Sequence, residues 1–339
     1  MKNMRYCTKE QLLQLQDDEE IFHDSNKYSL YPIPNKYRDI WKKFKEQEAA
    51  IWKAEEIEDD TEEWRKLSPE VKTFIKHILA FFAVADGVVN ENLAINFSNE
   101  IEVSVIRAYY TAQEFIESVH QQVYSELIER YIEEESERET LFNSIENFPC
   151  IQKKTEWAQK WMNRDIPFAM RIMAFAIMEG VFFSGAFCAI FWLKKVGNLK
   201  GLFESNFLIS RDESLHTEVA VLIFKKLKHV PNQEIVHEIF KEAVVDIEIP
   251  FIVEAIPCDM IGMNSELMSQ YIKFVADRLL VQLGYERLFH KENPFDFMEN
   301  IGMENVSNFH TERVTEYSRG TGQLNEVKDA SGFDTSGDF

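Results

Sequence analysis

Glycine and proline are both scarce in this chain, with 12 and 9 copies among 339 residues. Almost no Asn-Gly or Asp-Gly pair is available for tight hairpins, so a fold built of short strands and turns is excluded. Cysteine is also rare. Cys7, Cys150, Cys188 and Cys258 are far apart and form no Cys-x-x-Cys, which excludes a disulfide framework and a thiolate zinc site and fits a reducing compartment. Positive charge is in short supply: 37 Lys and Arg face 58 Asp and Glu, a net charge of −21. Such a chain repels a phosphate backbone, so direct nucleic-acid binding is not expected. Met1 to Gln16 is polar and lacks the apolar core of a secretory signal, so a cytoplasmic protein is expected. No Gly-rich phosphate loop occurs either.

What is present is apolar sequence at helical spacing. Apolar residues make up 45% of the chain and recur with the helical period for most of its length, without a dividing linker. The expected fold is all-α. Residues 1–35 are expected to be irregular, with Tyr31-Pro32-Ile33-Pro34 extended. A charged amphipathic helix then carries Tyr37, Trp41, Phe44, Ile51 and Trp52. Asp60-Thr61-Glu62-Glu63 and Ser68-Pro69-Glu70 are helix starts. Long helices are expected near 68–98, 101–130, 167–196, 203–228 and 232–255, and another near 264–285. The helical domain is expected to run over 36–317, followed by an acidic, flexible tail over 318–339. Ile172 to Leu193 is long and apolar enough to span a membrane, but Glu179 stands in its middle. An unpaired carboxylate is costly in lipid, so this stretch is expected to be the central helix of a soluble bundle.

Two phrases repeat along the chain. Ala83-Val84-Ala85-Asp86-Gly87-Val88-Val89 returns as Ala176-Ile177-Met178-Glu179-Gly180-Val181-Phe182, 93 residues later (179 − 86). Glu117-Ser118-Val119-His120 returns as Glu213-Ser214-Leu215-His216, 96 residues later (213 − 117). Each half therefore supplies a carboxylate and then a Glu-x-x-His, at a distance that suits two helices and a turn. Glu-x-x-His alone is a weak signal in so acidic a chain. Glu20/His23 and Glu234/His237 share it, but lie in polar or amphipathic segments outside the repeat. Two helix pairs packed together would bring Asp86, Glu117, His120, Glu179, Glu213 and His216 into one core, the donor set of a carboxylate-bridged dinuclear site. Hard oxygen donors with one imidazole per ion suit iron or manganese better than copper or structural zinc. Four carboxylates also balance two divalent cations.

Helical spacing puts two tyrosines on the face of Glu117: Tyr110, seven residues before it, and Tyr124, seven after. Spacing alone does not choose between them. Phe182, Phe183 and Phe187 stand where they could shield a reactive species from water.

These residues resemble the small, radical-generating subunit of class I ribonucleotide reductase in its eukaryotic form. The matching stretches are Leu79 to Asn92, Glu117 to Tyr124, Glu179 to Gly185, Ile209 to His216 and Glu292 to Met298, within a resemblance covering roughly 36–317. It implies a ferritin-like long-helix bundle with two iron ions per chain, manganese being the alternative metal. It assigns Asp86, Glu117 and His120 to one ion and Glu179, Glu213 and His216 to the other, with Glu117 bridging. It selects Tyr124 as the radical residue, formed with dioxygen and one external electron. It further implies a radical relay through His120, Asp212, Trp52 and Tyr317 to the large catalytic subunit, where ribonucleotides are reduced to deoxyribonucleotides. The C-terminal tail ending at Phe339 resembles the peptide that docks on that subunit, and a homodimer is expected. The same kind of bundle also serves oxygenases or desaturases and iron-storage proteins. Tyr124 and Phe183 speak against a substrate channel, and Tyr317 with the tail against a storage shell.

Overall fold

Ser68 and Pro69 start the first long helix in the way their chemistry dictates: Ser68 Oγ accepts from Val71 N (3.4 Å), and Pro69 occupies the first helical position, where no N–H is needed. In the computed structural model, residues 4–194, 197–255 and 263–298 are described. Residues 1–294 form one compact unit, and Phe295 begins a second, described only to residue 298. The helices that build the first unit are α1 (Arg38–Ala49), α2 (Pro69–Glu100), α3 (Ser104–Tyr131), α4 (Pro149–Met162), α5 (Phe168–Leu193), α6 (Lys200–Phe224), α7 (Gln233–Lys241) and α8 (Ser265–Leu283). Asn232 and Asn264 cap α7 and α8 through their side chains, and Gly284, at φ +95°, ends α8.

The two halves of the repeat form two antiparallel helix pairs. Ser98 Oγ reaches Glu114 at 2.7 Å while Asn90 meets Ser118, so α2 runs against α3. Asn206 Nδ2 donates to Phe187 O (3.3 Å), setting α6 against α5. Helix α5 is the core helix expected from its sequence: 89% of its most apolar window is buried. Helix α2 is also long and apolar enough to cross a membrane, and 56% of its window is buried.

Two features differ from the sequence expectation. Helices α2 and α5 each contain a π-helical turn, Leu93–Phe97 and Met178–Phe182, and α7 continues into two more, Glu242–Glu248 and Phe251–Ala255. An extra residue per turn shifts the helix face, which a regular period does not announce. The N-terminal segment holds more structure than irregular turns. It contains the strand β1 (Arg5–Cys7), paired in parallel with β2 (His229–Pro231), and a helix, Lys9–Leu15. Buried Glu19 accepts from the backbone N–H of Lys228 and His229 (2.8 Å each), fixing the end of α6. The start of α6 is fixed by Asp60, which accepts from Leu202 N (3.0 Å) and from the Tyr131 hydroxyl (2.6 Å).

Gly201 is required at this junction. A Cβ there would stand 2.2 Å from Glu58 O, and that oxygen is backbone and cannot rotate away. Gly201→Ala should destabilise the protein by about 1–3 kcal/mol through overpacking. A urea midpoint equal to that of the unsubstituted chain would contradict this account.

Candidate metal centre

Glu117 and His120 lie one helical turn apart on α3, as Glu213 and His216 do on α6. The two helices meet there. His120 Nδ1 lies 3.0 Å from Glu213 Oε1 and 3.4 Å from Glu117 Oε2, and His216 Nδ1 lies 2.9 Å from Glu117 Oε1 and 3.3 Å from Glu213 Oε2. Asp86 comes from α2 and Glu179 from the π-helical turn of α5. Two overlapping groups result, Asp86/Glu117/His120 and Glu117/Glu179/Glu213/His216, each with one ligand atom per residue within 4.8 Å of the others. Glu117 belongs to both groups. All six side chains are buried, none more than 2% exposed.

The residues fit a pair of cations on electrostatic grounds. Two like charges about 4 Å apart repel by about 4 kcal/mol even at an effective dielectric near 20. Four carboxylates therefore need compensating charge. Burial, then the charge of Glu117, holds Asp86 well above the usual carboxylate range, and burial with Glu213 and Glu117 does the same to Glu179. Burial alone would lower His216, but Glu117 and Glu213 raise it to about 9. His120 rises likewise, against its burial, through Asp212, Glu117 and Glu213. Glu213 runs the other way: burial opposes ionisation, but a hydrogen bond with Glu179 and the charge of His216 keep it low. Four protons would thus supply, without metal, the charge of two divalent ions. Asp86 Oδ2 makes no hydrogen bond, as expected of an atom that faces an ion.

A polar chain leads away from the cluster. His120 Nε2–H donates to Asp212 Oδ2 (3.3 Å), and the same oxygen accepts from Trp52 Nε1 (2.7 Å). The Trp52 and His120 rings lie 6.0 Å apart. Asp212 stays ionised despite burial because Arg211, then His120 and Trp52, face it. A carboxylate on the outer nitrogen fixes the tautomer that turns Nδ1 towards the cluster.

Tyr124 is buried beside the Asp86 end, with its ring stacked on Phe82 (4.6 Å, 8°). Burial, then the charges of Asp86, Glu213 and Glu117, hold its phenol well above the usual value. Tyr110 is buried too, but the charges acting on it are Glu179 and Glu100. Tyr109, which spacing did not single out, lies in the field of Glu179, Asp212 and Glu117. Two further residues were missed. Gln113 Nε2 donates to Glu179 Oε1 (3.0 Å) and Glu117 Oε1 (3.3 Å), and Arg211 braces Asp212 (3.0 Å) and Ala50 O (3.0 Å). Gln113 stands four residues before Glu117, a spacing that could have revealed it. Outside the repeat, Glu234/His237 forms no such cluster: His237 Nε2 lies 3.0 Å from Glu286 O. Tyr317 and the tail 318–339 lie outside the described residues.

Four long helices converging carboxylates and Glu-x-x-His pairs on one buried core define a ferritin-like bundle with a dinuclear metal centre. The family model for ribonucleotide reductase, small chain, matches residues 29–294. The ribonucleoside-diphosphate reductase small chain of vaccinia virus (strain Ankara) is 48% identical over 296 residues, 87% of this chain and 92% of the viral one. The human ribonucleoside-diphosphate reductase subunit M2 is 48% identical over 307 residues, 89% of this chain and 78% of its own length. Among solved structures, the Rnr4 homodimer of Saccharomyces cerevisiae superposes with a TM-score of 0.79 at 32% identity, over 91% of this chain and 96% of that one. The chain belongs to the ribonucleotide reductase small-chain family, in its eukaryotic form, and acts as the small subunit of ribonucleoside-diphosphate reductase.

The raised histidines set a pH dependence. Below about pH 9 His216 carries a proton in the cation-free cluster, and a metal ion must displace it. Manganese(II) affinity should therefore rise with pH between about 6.5 and about 8.5, by up to about tenfold per unit for each proton released. Equilibrium titration with free manganese(II) read by paramagnetic resonance tests this, and a flat profile would contradict it.

Proposed function

We propose that this small subunit holds two iron ions, Asp86, Glu117 and His120 binding one and Glu179, Glu213 and His216 the other, with Glu117 shared. The grouping of the buried ligand atoms and their charge balance support this assignment. Bound there, the metals would supply the dioxygen chemistry that makes an oxidant. The chain's own part is to give it one target and keep water out. Tyr124 is that target: its phenol, neutral because burial opposes ionisation, loses one electron and one proton and becomes a phenoxyl radical. Phe82, stacked on Tyr124, and Phe183 and Phe187, packed around Phe82, exclude solvent from the ring.

The observation that carries the reading is the hydrogen-bonded chain His120–Asp212–Trp52, which runs outward from the cluster. A carboxylate behind a ligand histidine suits any such centre; Trp52, beyond Asp212, extends the line in the direction a relay needs. The relay continues to Tyr317 and the large catalytic subunit, which the tail ending at Phe339 engages through an aromatic anchor. A homodimer fits the yeast relative, described as one. Exposed Ile95 and Phe115, on the facing helices α2 and α3, offer apolar surface for it. A cytoplasmic setting agrees with Cys7, Cys150 and Cys188 forming no disulfide.

Metal-free protein given ferrous iron and dioxygen should show a stable tyrosyl signal in electron paramagnetic resonance. Tyr124→Phe should take up the same iron and lose the signal; a persisting tyrosyl radical would move the assignment, to Tyr109 or Tyr110. Tyr317→Phe should separate radical formation from radical use. It should keep the signal and lose ribonucleotide reduction with the large subunit, whereas normal turnover would break the relay.

A further inference from the structure

Lys154 is a lysine in the wrong place for a solvated charge. It sits on α4 in a run of two lysines, yet is only 2% exposed. Its Nζ lies 2.6 Å from Glu248 Oε2, itself fully buried, and donates to Phe182 O at 2.7 Å. The rings of Phe251 and Phe81 stand 3.8 and 3.9 Å from it. A buried ion pair gains little net stability over a well-packed apolar pair, because both charges must be desolvated. Stability alone therefore does not account for it.

Its contacts point to a use. Phe182 ends the π-helical turn Met178–Phe182, which carries Glu179, and Glu248 ends the π-helical turn Glu242–Glu248 beyond α7. A π-helical turn departs from the regular bonding of the helix around it, so its shape depends on outside partners. Side chains provide them here: Ser184 Oγ donates to Val181 O (2.7 Å), and Lys154 takes Phe182 O. Gly185, on the next turn of α5, makes room for the pair, since a Cβ there would stand 2.8 Å from Glu248 Oε1.

We propose that Lys154, held by Glu248, is a positioning residue for the metal centre: it clamps the π-helical turn of α5 so that Glu179 is presented to the cluster. The clamp acts on one side of the centre. Glu179 belongs to the group with Glu117, Glu213 and His216 and not to the group around Asp86 and His120. The inference rests on reading Glu179 as a metal ligand.

The test is manganese(II) titration of the full metal-free chain, with free ion read by electron paramagnetic resonance, alongside thermal unfolding. Lys154→Met leaves Glu248 buried and unpaired and can fail to fold, so the decisive variant is Lys154→Met/Glu248→Gln, which leaves no uncompensated charge. One of the two ions should bind about tenfold more weakly, the loss typical of an outer support, while the other keeps its affinity and the unfolding temperature stays near that of the unsubstituted chain. Unchanged affinity at both sites, or equal weakening at both, would overturn the clamp. Glu179→Gln is the control. If that variant still binds two ions as the unsubstituted chain does, the assignment of Glu179 fails, whatever Lys154 does.

Discussion

Four carboxylates share one buried core, and the rest of the structure answers to their repulsion. Asp86, Glu117, Glu179 and Glu213 each come from a different helix and none is more than 2% exposed. An ordinary core would expel them or neutralise each with a nearby basic side chain. Here the compensating positive charge within reach is on His120 and His216, and the remainder must come from protons or cations. The same demand explains two helices that pass for membrane spans by composition: apolar walls around the cluster keep the field strong and water out.

The two imidazoles are not equivalent. His120 has its outer nitrogen on Asp212, and through it a link to Trp52 and Arg211, whereas buried His216 Nε2 has no hydrogen-bond partner. One side of the cluster is thus wired to the outer part of the fold by polar groups. On the opposite side Gln113 donates to Glu179, and Ser184 and Lys154 bond the carbonyls of the turn that bears it. This asymmetry gives the centre a direction, and the relay proposed above starts at the histidine with the carboxylate behind it.

Much of this was legible in the sequence because it rests on local chemistry. Ser68-Pro69 announces the start of α2, and the doubled carboxylate and Glu-x-x-His locate all six cluster residues, since i, i+3 spacing holds in any helix. What was hidden depends on where distant elements meet. Lys154 follows another lysine and looks like a surface charge until Glu248 and Phe182 are brought to it. The π-helical turns leave no mark in apolar periodicity, because one inserted residue in a uniformly apolar helix such as α5 moves one apolar side chain for another. The role of Glu19 is equally silent, since its partners lie more than 200 residues away.

Helix α6 carries Asp212, Glu213 and His216, and both of its ends are fastened by residues from the first fifth of the chain: Asp60 at the start, Glu19 and β1 at the finish. A ribosome releases the chain from its N-terminus, so these fasteners are made long before the helix they hold. When α6 emerges, α2 and α3 have already been synthesised, and the helix can dock onto waiting anchors. The order of manufacture therefore favours bringing the second Glu-x-x-His to the first, rather than leaving an apolar, acid-bearing helix exposed while its supports are still to come.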